Sequence, residues 1–247
     1  ALTDLELLAH EQNVDYIRIE PNSMSANKHI TLDPTYIKQS KSFQPNLTLL
    51  INLETEFDDV LHGMSKTNRY LWNKVEKNNL TFRISYEPKD LQDFLLMISE
   101  TESRTGTRLH SEQYFKDILS TLGPTKYAGI AYVCVDNQPL SGVLFVDDIE
   151  GATRYYMYAG SYDKARQYSA NSPLVTFLLK DAKEKGLNQF DFFGIIDKSQ
   201  TNHKWAGFSQ FKRSFGGAEW QFNGMWEKPI KPLRYKIMHT ARKVASR

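Results

Sequence analysis

Apolar positions along the chain follow two periods, and the alternation between them sets out the elements. Leu2, Leu5, Leu7 and Leu8 predict a helix over residues 2–12, and residues 15–19 alternate Tyr16 and Arg18 with Ile17 and Ile19 as a short strand. Residues 21–31 are polar and read as a loop, while the apolar run at 47–53 reads as a buried strand. Residues 56–79 predict a helix carrying Phe57, Val60, Leu61, Met64, Tyr70, Leu71 and Val75, with a polar break at 65–67. A strand at 80–86 is followed by helices at 89–105 and 111–122 and by strands at 127–135, 141–146 and 153–159, joined by turns at 136–139 and 147–151. A helix at 172–185 closed by Gly186, strands at 189–193 and 219–222, and a terminal helix over 233–244 complete the chain. Strands in a meander followed by a helix and a further strand predict an α+β fold with a mixed sheet.

Composition places the chain among globular proteins: 40% of its 247 residues are apolar and 13% aromatic. Its single cysteine, Cys134, lies in an apolar run, so no disulfide framework is available, and the six histidines lack ligand spacing, so no metal is expected. No apolar run approaches the roughly 18 residues needed to cross a bilayer, and no signal peptide opens the sequence, which predicts a cytoplasmic protein. The chain starts at Ala1 already within a helical pattern, so an N-terminal portion is expected to be missing.

The net charge of +2 hides an asymmetry. From Lys198 to Arg247, eleven Lys or Arg face two acidic residues, Glu219 and Glu227, for +9, and the remainder carries −7. A cationic segment of this kind is either a solvated face or a surface for a phosphate-bearing partner, nucleic acid or anionic lipid.

Within that segment, residues 203–217 (HKWAGFSQFKRSFGG) concentrate aromatic, cationic and glycine residues. Trp205, Phe208, Phe211 and Phe215 recur at helical spacing, with Lys212 and Arg213 beside them and Gly216–Gly217 suited to a chain reversal. Trp205, Phe208 and Phe215 are expected to hold the helix down, leaving Phe211 and Lys212 at a cleft.

The strand–strand–strand–helix–strand order resembles the GNAT acetyltransferase fold. The stretch where that family keeps its coenzyme A pyrophosphate loop reads RQYSANSP at 166–173, without the family's glycines and with Pro173 removing a donor. A GNAT-like fold without that loop, followed by W-x-G-F-x-x-F-K-x-x-F-G-G, is similar to the FemABX family of peptidoglycan bridge-forming aminoacyltransferases. Further matching stretches are the basic helix at 66–77 after the LTLLINL strand, RTGTR at 104–108 with Tyr114 and Phe115, and KGLNQFDFFG at 185–194.

The resemblance implies two tandem GNAT-like units, the first incomplete: residues 1–85 the later part of the first, 86–225 the second, and 226–247 a basic helix packing back on the first. It implies transfer of an amino acid from aminoacyl-tRNA to the stem-peptide amine of a peptidoglycan precursor, UDP-linked or lipid-linked, without a cofactor. The expected protein is a monomer, cytoplasmic, with peripheral contact at the inner membrane face. Ester aminolysis needs a stabilised oxyanion and a proton for the leaving ribose oxygen rather than a Ser/His/Asp constellation. The family's Phe-Lys pair falls on Phe211 and Lys212. Arg104, Arg108, Tyr114, Tyr158 and Tyr168 are the candidates for substrate contact, and Lys66 and Arg69 stand at a predicted helix start suited to an anion. For the arginines and Tyr158, surface charge or packing is the competing explanation. Two other functions fit parts of the sequence: a GNAT N-acyltransferase using an acyl-coenzyme A, and a nucleic-acid-binding module built on the +9 segment.

Overall fold

The computed structural model describes residues 2–21, 32–106 and 110–245. In chain order the elements are α1 (Leu2–Glu11), β1 (Tyr16–Ile19), β2 (Ile37–Lys38), β3 (Leu47–Asn52), α2 (Phe57–Gly63), α3 (Lys66–Trp72), β4 (Leu80–Ser85), α4 (Leu91–Thr105) and α5 (Glu112–Leu122). Then come β5 (Ala128–Val135), β6 (Gln138–Asp148), β7 (Thr153–Ser161), α6 (Asn171–Glu184), β8 (Gln189–Asp191), α7 (Ala206–Arg213), β9 (Ala218–Gln221), β10 (Trp226–Pro229) and α8 (Pro232–Ala245). The mixed α+β class expected from the periodicity is the one observed.

The helix expected over 56–79 is two short helices. Ser65 interrupts it: its hydroxyl accepts the Asn68 N–H at 3.2 Å and starts α3 afresh. The strands β2 and β10 were not legible as such, being two and four residues long, the latter ending in Pro229.

The chain divides into two compact units, one of Ala1–Asn46 with Gln221–Arg247 and one of Leu47–Trp220. This division places residues 47–85 with 86–220 instead of with 1–46, because β3 and β4 are both hydrogen-bonded into the larger sheet. The terminal helix α8 falls with residues 1–46. In that smaller unit β1 and β2 pair antiparallel with β10 on either side. Its charged node is Glu227, 1% exposed, which accepts from Arg18 Nε and from the Tyr235 hydroxyl, both at 2.8 Å. Burial and the Glu227 bond push the Tyr235 phenol up to about 12.

The larger unit carries a seven-stranded sheet in the order β4-β5-β6-β7-β8-β3-β9. Strands β4 to β7 form an antiparallel meander, and β8 then joins β7 in parallel, the connection being made by α6. On one face the core is built from α6, α2 and the β3/β8 strands, with Leu174, Leu178, Phe190, Phe192 and Phe215 among its fully buried residues. On the other, α4 and α5 bury Phe94, Met97, Phe115 and Leu119.

Strand β7 carries two local devices that fix side chains around it. Arg154 is fully buried, with Nε and Nη2 each 2.7 Å from Asp147, Nη1 2.7 Å from Asp181, and the guanidinium 4.0 Å from the Phe145 ring. That network ties β6 and β7 to α6. Leu144 pairs with Tyr158 but Phe145 with Tyr156, so Met157 is an extra residue. Without the bulge Tyr156 and Tyr158 would share a face; with it, Tyr156 packs against the α6 side and Tyr158 against the α4/α5 side.

Candidate active site

The site is assembled where α7 meets the segment leaving β8. Ser209 fixes α7 on that segment: it is 1% exposed, and its hydroxyl accepts the Ile196 N–H at 3.0 Å. The helix ends on α3, where the Ser65 N–H at 2.8 Å and Asn68 Nδ2 at 3.0 Å both donate to the Ser214 carbonyl. These bonds satisfy a carbonyl that a helix end otherwise leaves without a partner. Gly216 and Gly217 then reverse the chain at φ +83 each, and a Cβ on Gly217 would meet the Leu50 carbonyl oxygen at 2.3 Å.

The aromatic stripe divides differently from expectation. Phe215 is 1% exposed and packs against Phe192 and Phe211, with ring centroids 5.4 and 5.2 Å away, whereas Phe208 is 42% exposed and holds nothing down. The reason is that α7 stops at Arg213, so Phe215 enters the core from beyond the helix and the helical spacing does not carry through to it. Trp205, at the N-cap, is half-buried, and Phe211 is half-buried against the main core.

Lys212 lies beside Phe211 and reaches into the site. Its Nζ donates to the Phe193 carbonyl at 3.0 Å and the Gly194 carbonyl at 2.8 Å, and stands 5.8 Å from the centroid of Tyr156. Burial lowers its proton affinity to about 8, with the Asp191 carboxylate opposing the shift. Asp191 is itself 1% exposed and held above the usual carboxylate range by burial; its Oδ1 accepts from the Thr48 hydroxyl and, at 2.7 Å, from the Phe193 N–H. The Tyr156 phenol is raised by burial alone. An ammonium offers three N–H groups, and two are taken by carbonyls, which leaves one for a substrate oxygen. A cation so placed stabilises a developing oxyanion, and a proton affinity near 8 lets it exchange a proton close to neutral pH.

The other predicted residues are dispersed over several elements. Tyr114 and Tyr158 meet on the α4/α5 face, their hydroxyls 3.0 Å apart, with the His110 ring stacked on Tyr114 at 4.0 Å. Arg104, at the end of α4, donates to Asp163 at 2.9 Å, Ser161 Oγ at 3.2 Å and Thr101 Oγ1 at 3.3 Å. The bulge at Met157 thus sets Tyr158 on the face opposite Tyr156 and Lys212. Tyr168 packs half-buried against the main core. Lys66 is exposed at the start of α3, whose first turn is already capped by Ser65, and Arg69 Nη1 donates to the His62 carbonyl at 3.0 Å and to that of Met64. Arg108 lies outside the described residues.

Sequence reasoning missed Tyr156, Asp191 and His110. His110 precedes the capping Ser111 of α5, so no helical spacing in the sequence marks its contact with Tyr114. No sequence pattern marks the bulge that singles out Tyr156.

Among the described residues no helix is long and apolar enough to cross a membrane. The FemAB family model matches the sequence twice, over residues 26–139 and 134–243. The crystal structure of FemX is similar at a TM-score of 0.85 and 17% identity, over 96% of this chain and 77% of that one. The L-PGS structure from Bacillus licheniformis aligns at 0.55 and 13%, covering 86% and 68% of the two chains. A conserved protein of unknown function from Bacteroides thetaiotaomicron aligns at 0.57 and 10%, covering 92% and 73%. No curated protein matches the sequence. The fold shared with FemX is the tandem GNAT-like one.

Proposed function

We infer the function from one starting point: the chain belongs to the FemAB family. On that basis the protein is a transferase of peptidoglycan bridge formation, and the reaction is transfer of an amino acid from aminoacyl-tRNA to the stem-peptide amine of a UDP-linked or lipid-linked precursor. The observation that carries this reading is Lys212, next to Phe211, held by two carbonyls in a buried setting that lowers its proton affinity to about 8.

In the proposed reaction the precursor amine attacks the aminoacyl ester carbonyl, a C–N bond forms, and the C–O bond to the ribose breaks. The amine's proton passes to the leaving ribose oxygen. The Lys212 ammonium stabilises the oxyanion with its remaining N–H, or relays that one proton by giving its own to the ribose oxygen and taking the amine's in exchange, and Phe211 walls the site against water. Tyr158, Tyr114, Arg104 and Arg108 are the residues proposed for the precursor and its phosphates, with Tyr168, Lys66 and Arg69 as further substrate contacts. The compartment that fits such substrates is the cytoplasm, at the inner face of the membrane when the acceptor is lipid-linked.

The coenzyme A alternative is less well supported. In the stretch where a GNAT enzyme wraps the pyrophosphate, Ala170 is fully buried, Ser169 takes φ 48, and Pro173 lacks a donor in the first turn of α6.

Incubation with radiolabelled aminoacyl-tRNAs and purified UDP-linked or lipid-linked precursor tests the reading. Labelled precursor is expected with wild type and is lost with Lys212→Ala. No labelled precursor from any aminoacyl-tRNA overturns the assignment, and unchanged single-turnover transfer by Lys212→Ala overturns the role of Lys212.

A further inference from the structure

Strand β8 ends at Asp191, and two residues later the carbonyls of Phe193 and Gly194 both face the Lys212 ammonium. In extended chain successive carbonyls point to opposite sides, so bringing two neighbours onto one nitrogen requires a bend. The bend is present: Phe193 adopts φ 55, a left-handed conformation that a bulky aromatic residue rarely takes. What holds it is the Asp191 carboxylate, whose Oδ1 accepts the Phe193 N–H at 2.7 Å and is anchored in turn by the Thr48 hydroxyl of β3. Asp191 is 1% exposed, deeper than a carboxylate stays without a reason.

We propose that Asp191 is a positioning residue for the transfer reaction: through the turn it makes at Phe193 it builds the two-carbonyl cradle that fixes the Lys212 ammonium. The proposal rests on the reading of Lys212 as the reacting centre. The groups that face Lys212 are few. Asp191 on β8 acts on it as an opposite charge, and Tyr156 presents its ring from β7. On α7 itself Arg213 is engaged elsewhere, with Glu219 at 2.8 Å and the Ile196 carbonyl at 2.6 Å. Asp191 is therefore the one negative charge among these neighbours that acts on Lys212, as well as the keeper of its acceptors.

Two substitutions separate these roles. Asp191→Asn keeps a side-chain oxygen for the Phe193 N–H and removes the charge; Asp191→Ala removes both. The full chain is labelled with acetic anhydride across a pH series, and acetylation of Lys212 is read by peptide mass spectrometry, which needs no activity. Single-turnover transfer is measured in parallel. Asp191→Asn is expected to lower the Lys212 labelling midpoint by about one pH unit, since an opposite charge is lost nearby. Asp191→Ala is expected to cut transfer about 100-fold, the scale of a misplaced reacting group. Wild-type transfer by Asp191→Ala overturns the proposal; if that variant does not fold, Asp191→Asn carries the test, because it keeps the turn, and an equal loss of transfer there, about 100-fold, would assign the effect to the charge instead of the cradle. If Lys212→Ala transfers normally, the functional reading fails. If Lys212→Ala is inactive while both Asp191 variants behave as wild type, only the positioning role fails.

Discussion

Lys212→Met removes the amine and keeps an unbranched stem of similar length, and its effect on stability has a pH dependence that the structure fixes. Lys212 titrates near 8 in the folded chain against an ordinary value of 10.5. Folding therefore weakens its hold on a proton, the unfolded chain binds more protons between those values, and stability rises with pH through that window. Below pH 8 the native state carries a penalty of about 3 kcal/mol from holding a desolvated ammonium, at about 1.4 kcal/mol per pKa unit. Relative to the Met variant, wild type should gain about 1 kcal/mol between roughly pH 7 and 9 and about 2.5 kcal/mol by roughly pH 10. The variant also leaves the Phe193 and Gly194 carbonyls without their donor, a loss of about 1 kcal/mol each. That loss does not vary with pH, and neither do the tyrosines and Cys134 differ between the two proteins, so the difference of the two curves isolates Lys212. Urea unfolding of both proteins at a series of pH values is the assay. Parallel curves would refute the claim that Lys212 is held protonated at a cost in the native state. At pH 7 the expected result is a variant of similar or slightly higher stability that has lost transfer, which distinguishes loss of chemistry from loss of fold.

Arg154→Met removes the bidentate partner of the buried Asp147 carboxylate, leaving it the Lys185 ammonium at 3.8 Å, and should cost about 3 kcal/mol, lowering Tm by about 10 °C; adding Asp147→Leu should recover much of it. Calorimetry checks both, and a single variant melting with wild type would show the network to be slack. Gly217→Ala forces a Cβ to 2.3 Å from the Leu50 carbonyl at φ +83, so a loss of about 1–3 kcal/mol is expected in chemical denaturation. Tyr114→Phe and Tyr158→Phe, alone and together, should show a coupling energy of about 1 kcal/mol in stability, and additive effects would mean that the 3.0 Å hydroxyl contact contributes nothing.

Much of the secondary structure is legible in the sequence because it is local. The period of two in residues 80–86, the continuous apolar run at 127–135 and the capping Ser111 before α5 need nothing beyond their neighbours. Phe211 and Lys212 were also within reach, by the resemblance of the 203–217 stretch to a family motif. What the sequence hides is set by contacts between distant positions or by departures from regular backbone. Arg154 sits in a run of tyrosines where it reads as a solvent-facing cation, and only the carboxylates of Asp147 and Asp181 make its full burial possible. Tyr156 and Tyr158 look equivalent under strict alternation, and the extra residue at Met157 sends them to opposite faces, so the tyrosine that meets Lys212 is the one the alternation does not single out. Phe193 shows the same effect at the reacting centre. Its side chain favours an extended strand, which is why the strand was expected to run to 193. The strand stops at Asp191 because the carboxylate captures the next free N–H, and that local exchange of a ladder bond for a side-chain bond creates the carbonyl pair on Lys212. A site built this way leaves its mark as a conflict between propensity and conformation, and the conflict becomes visible only once the backbone angle at Phe193 is known.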